Sequence, residues 1–123
     1  MSQCSLGASA GEKAEAGRIN HAIEQLRFAP NAQKGELLEA LKSVSCENAE
    51  LCELKRVCVE GYGQHVFALA ETARAKSLLT APEGATEAAR ILDFAQSELT
   101  QAAPKISHCG NLIKIGYVLR FDT

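Results

Sequence analysis

The sequence predicts an all-α protein, an antiparallel bundle of four to five helices. Three observations carry that expectation. Ala, Leu, Glu, Lys and Gln, the strong helix formers, supply much of the chain. Apolar residues recur at intervals of three and four over long stretches, which is the period of one helix face. Turn residues, above all Pro30-Asn31 and Thr80-Ala81-Pro82-Glu83-Gly84, punctuate those stretches. Aromatic residues make up only 5% and Trp is absent. Small apolar side chains therefore favour close helix packing over a large ligand cavity.

Residues 1–8 read as a flexible N-terminal tail and residues 9–123 as one helical domain. The first helix opens with Ser9-Ala10-Gly11-Glu12, a capping box with Ser9 as N-cap. Ile19, Ile23 and Leu26 then fall on one face as far as about Phe28. A second helix runs from about Ala32 to Val44 on Leu37, Leu38 and Leu41. The third starts near Cys46 or Glu47, capped by Ser43 or Ser45, and reaches about Leu79. Its seam is Leu51, Leu54, Cys58, Gly61, His65, Ala68, Thr72, Ala75 and Leu79. Thr80 and Glu83 resemble a capping box for a fourth helix, with Ala88, Ile91, Leu92, Ala95, Leu99 and Ala102 facing inward. Pro104 is expected to kink or end it. The segment 105–123 fits two patterns. Leu112, Ile115 and Leu119 suit a helix, the preferred reading; Ile113, Ile115, Tyr117, Leu119 and Phe121 alternate as a strand would. A strand there would need a partner chain.

Net charge is −2 and no block of like charge occurs. The longest basic feature, Lys55-Arg56, is too short for a phosphate-contacting patch, which argues against nucleic acid as a partner. No stretch approaches the ~18 uninterrupted apolar residues of a transmembrane helix. The opening residues lack the charged and apolar regions of a signal peptide. Two readings follow: a cytoplasmic protein, or an exported one whose signal has been removed.

Five cysteines, Cys4, Cys46, Cys52, Cys58 and Cys109, are the unusual feature. Cys46, Cys52 and Cys58 are six apart. On one continuous helix each step of six turns by about 600°, equivalent to ~240°, so the three thiols point ~120° apart and cannot share an ion. Neither Cys-x-x-Cys nor zinc-finger spacing occurs, and no metal or cofactor is predicted. Disulfides fit better. In a hairpin turning near Pro82, Cys109 lies opposite residue 55, between Cys52 and Cys58, and either one is a partner for it. Cys46 would then pair with the remaining one or with Cys4. Five is odd, and Cys4, in the tail, is the candidate free or intermolecular thiol. Disulfides imply an oxidising compartment.

Glu60-Gly61-Tyr62-Gly63-Gln64-His65 lacks the preceding strand, third Gly and Lys-Ser/Thr of a phosphate loop. Gly61, Tyr62, Gly63 and His65 are read as a candidate helix-crossing notch, where another helix or a partner docks. His108 and Cys109 are adjacent and diverge by about 100° on a helix, so no catalytic pair is singled out. The resulting expectation is a non-enzymatic, exported, disulfide-stapled helical module that binds a protein partner or itself, or works in the cell envelope. The alternative is a metal-, haem- or redox-linked helical protein using His and Cys.

Overall fold

A computed structural model describes residues 9–114. The tail with Cys4, and the choice between helix and strand over 115–121, lie outside these residues. Among the described residues there are four α-helices and no strand: α1 (Ala10–Phe28), α2 (Asn31–Ser43), α3 (Ala49–Leu78) and α4 (Ala85–Leu112). A single 3-10 turn, Pro82–Gly84, precedes α4. The all-α bundle is the observed fold.

The capping box of α1 forms as its sequence requires. Ser9 Oγ accepts from the Glu12 backbone N–H and the Glu12 carboxylate accepts from the Ser9 N–H. Three starts and stops differ from the sequence reading. The N-cap of α3 is Asn48, whose Oδ1 accepts from Glu50 N and Leu51 N, so Cys46 lies before the helix and not on it. Thr80 does not cap α4; its hydroxyl donates to the Ser77 carbonyl and closes α3 instead. Helix α4 runs through Pro104 to Leu112, because Ala102, Ile106 and Cys109 beyond and before the proline all pack on α3 or the core. Two inward assignments also fail: Leu92 and Leu79 are exposed.

The core lies at one end of a long α3–α4 hairpin. Ala16, Ile19, Ile23 and Leu26 of α1 meet Leu38 and Leu41 of α2, together with Leu51, Leu54, Val57, Cys58 and Tyr62 of α3 and Cys109 of α4. The other end has only a small cluster, Ala75, Ala88 and Ile91, with Leu78 against it. Between them the hairpin seam is built from small residues spaced by seven. On α3 they are Gly61, Ala68 and Ala75; on α4 they are Ala88, Ala95, Ala102 and Cys109, and all are buried. A repeat of seven keeps one face toward the partner helix, and small side chains let the backbones approach.

Gly61 marks a close approach of α4 to α3. A Cβ at that position would stand 3.1 Å from the Lys105 carbonyl carbon, the Lys105 Cβ and the Ile106 amide nitrogen. Gly63 is different, since its nearest neighbour would be Leu38 Cδ2 at 4.0 Å. At the tip, a Cβ on Gly84 would fall 2.0 Å from the Leu78 carbonyl oxygen. Urea unfolding is expected to separate these positions. Gly61→Ala lowers stability by about 1–3 kcal/mol through overpacking. Gly63→Ala is neutral or stabilising by up to about 1 kcal/mol, from helix propensity. Gly84→Ala destabilises, because the contact is with backbone that cannot swing away.

Candidate functional site

The most elaborate polar arrangement is where the α2–α3 connection meets α1. Glu15 stands one turn before Ile19 on the apolar stripe of α1 and is buried. Its Oε2 accepts hydrogen bonds from the backbone N–H groups of Glu47 and Asn48, the latter at 3.1 Å. The Asn48 side-chain amide donates to Glu12 Oε2 at 2.7 Å. Two carboxylates of α1 thus take up donors at the start of α3, where unpaired N–H groups make negative charge favourable. Lys55 closes the other side, its Nζ donating to the carbonyls of Lys42 and Val44.

In this junction Cys46 is joined to Cys52, with Cα atoms 5.4 Å apart. Both residues are half-buried. Because Cys46 precedes the N-cap, the chain can fold back and bring its sulfur to the first turn of α3. The ~120° divergence expected for a continuous helix therefore does not apply to this pair. Glu15 reaches the same place: its carboxylate and the two sulfurs all lie within 4.8 Å of one another. Among the described residues this is the cluster of three His, Cys, Asp or Glu side chains close enough to share an ion. Sequence reasoning missed Glu15; the available signal was a carboxylate in register with Ile19, Ile23 and Leu26.

The second disulfide joins Cys58 to Cys109, with S–S 2.03 Å and Cα atoms 4.9 Å apart. It is fully buried, at 0% and 1% exposure. Cys109 is thereby removed as a nucleophile for the neighbouring His108. The three histidines stand apart: His21 and His108 are exposed, whereas His65 is half-buried.

The residues singled out around Gly61 are filled by the chain itself. Gly61 receives α4, and Gly63 faces α2. Tyr62 is buried in the core, and burial raises its phenol pKa. Lys34 lies over its ring, Nζ 5.9 Å from the centroid, and donates to the carbonyls of Leu26 (2.9 Å) and Arg27 (3.2 Å). It caps the C-terminus of α1, and burial depresses its own pKa. His65 is lowered from its ordinary 6.5, first by burial and then by the Lys34 charge.

Comparison of the chain with models of known protein families, with curated proteins and with solved structures finds no match. No helix among the described residues is long and apolar enough to cross a membrane. What the structure presents is a small, disulfide-stapled helical fold with two unlike disulfides.

Three expectations follow. The chain-entropy relation gives about 4 kcal/mol for the closure of 51 residues by Cys58–Cys109 and about 2 kcal/mol for the closure of 6 by Cys46–Cys52. Cys58→Ala/Cys109→Ala should therefore lower the denaturation midpoint about twice as far as Cys46→Ala/Cys52→Ala. Lys34→Ala removes a charged donor from two helix-end carbonyls and should cost about 1.5–3 kcal/mol. The folded state resists protonating His65, so the unfolded state binds that proton first as pH falls below about 6.5. Its contribution is complete above that value and is lost on acidification. His65→Gln should show a shallower fall in melting temperature than the wild type between about pH 7.5 and pH 5.

Proposed function

We propose that the protein is a non-enzymatic interaction module of an oxidising, extracytoplasmic compartment, and that it docks through the uncovered part of the α3–α4 hairpin. One observation carries the reading. Phe67 of α3 and Phe94 of α4 form an edge-to-face pair, centroids 6.0 Å apart, yet are 47% and 49% exposed. Side chains of this size contribute most when buried, and their exposure on one flank of the hairpin marks a surface suited to a contact.

The local packing supports the same reading. Beyond Val66, which faces Gly35 of α2, the small core cluster of the hairpin contains residues of α3 and α4 alone. Two helices with an alanine interior bury little apolar area between them, and a further pair of helices covers the flank. The occupant is a second copy of the chain. Charge permits it: Glu71 pairs with Arg74 and Glu87 with Arg90 along the hairpin, so the surface carries no single-sign field to repel an identical one. The compartment is inferred from the two disulfides, which persist where thiols are not held reduced.

Sedimentation equilibrium tests the docking surface. The wild type should dimerise in the micromolar range, and Phe67→Ser/Phe94→Ser should remain monomeric with an unchanged helical circular-dichroism spectrum. A wild type that stays monomeric overturns it. The compartment is tested by counting thiols in protein isolated without reductant. One free thiol of five is expected; five free thiols overturn the reading.

A further inference from the structure

We propose that Glu15, Cys46 and Cys52 form a redox-gated binding site for a divalent cation of the zinc class. The proposal does not rest on self-association of the hairpin. It starts from the difference between the two disulfides. Cys58–Cys109 is sealed in the core, whereas Cys46 and Cys52 are half-buried at a junction that solvent reaches. A thiol reductant therefore meets Cys46–Cys52 first.

In the oxidised state the two sulfurs bond to each other and offer no anionic ligand. A dithiol reductant supplies two electrons. The S–S bond breaks, each sulfur takes one proton, and the reductant leaves as its own disulfide. The two thiols are then left in the first turn of α3 and just ahead of it, where the helix N-terminus favours the thiolate. A divalent cation displaces the two thiol protons to solvent and binds both sulfurs.

The third ligand is in place beforehand. The Glu15 carboxylate and both sulfurs lie within 4.8 Å of one another. The hydrogen bonds from Glu47 N and Asn48 N hold the carboxylate to the segment that carries Cys46. Such outer contacts orient a ligand and tune its affinity. A cleft of about 580 Å³ opens beside Glu15, lined by Glu12, Glu15 and Arg18 of α1 and by Ser45, Glu47 and Asn48 of the α2–α3 connection. Its acidic residues outnumber the single arginine, which favours a cation. Glu15 is the proposed ligand that borders this cleft, and a water reaching the ion from its side would complete a tetrahedral set of two thiolates and one carboxylate.

The test uses the full chain, reduced with a dithiol and desalted without oxygen, then titrated with Co²⁺. One cobalt per chain should bind, with thiolate-to-cobalt charge transfer and the intense d–d bands of a tetrahedral ion, both removed by Zn²⁺. Unreduced protein should show neither. Cys46→Ser/Cys52→Ser keeps Cys4, Cys58 and Cys109 and should remain without these bands after the same reduction. Glu15→Gln should weaken binding by about tenfold or more while keeping the charge-transfer band. Reduced wild type without the bands overturns the proposal, and so does the double serine variant showing them at the same affinity. Loss of the helical circular-dichroism spectrum on reduction also overturns it, because the three ligands are then no longer held together.

Discussion

The closeness of α3 to α4 is the constraint on which the rest of the structure depends. It is set where a glycine on one helix meets the backbone of the other, and small residues at intervals of seven maintain it outward. Once the two axes are that near, a cysteine one turn from the glycine is within bonding distance of a cysteine on the facing helix. The buried disulfide is thus a result of the crossing as well as a reinforcement of it. The same geometry leaves little apolar area between the helices away from the core. Large side chains such as Phe67 and Phe94 do not fit the seam and stand on its flank.

The start of α3 obeys a different logic. Here the problem is electrostatic: unpaired N–H groups must be satisfied beside a buried stripe. Asn48 Oδ1 accepts from two of them and Glu15 accepts from the backbone of Glu47 and Asn48, while Glu12 holds the Asn48 side-chain amide in place. A buried carboxylate is expensive unless its hydrogen bonds are made, and Glu15 makes them with the segment that bends back toward Cys52. Polar satisfaction and disulfide closure are therefore parts of one turn. The turn also makes the pair accessible, because a connection that carries this many backbone groups runs at the surface.

Much of this was legible from residue patterns. The capping box at Ser9, the apolar stripe of α1 and the α3–α4 turn near Pro82 follow from local chemistry. Hairpin arithmetic placed Cys109 between Cys52 and Cys58, because antiparallel helices have a nearly constant register. The misses share a cause. Asn48 and the nearby serines are comparable N-caps by residue type, and the tertiary contact with Glu12 distinguishes Asn48. Pro104 by residue type predicts a kink or an end, yet α4 continues through it, because packing on both sides outweighs one missing hydrogen bond. Extending α3 back to Cys46 fanned the thiols apart and hid the cluster with Glu15. Periodicity also overstates the seam of α4, since Leu92 falls on it by spacing and yet stays exposed.

The position of the Cys58–Cys109 bond has a topological consequence. The outer half of α3, the tip and most of α4 lie inside the ring of chain that it closes. The core, apart from that bond, is made chiefly from chain outside the ring. The hairpin can therefore fray from its tip, where a small cluster of two alanines, Ile91 and Leu78 holds it, while the far end stays folded. A protease that cuts the frayed tip separates no fragment: both products stay tethered by one covalent link within the core, which is also where the chain is hardest to reach.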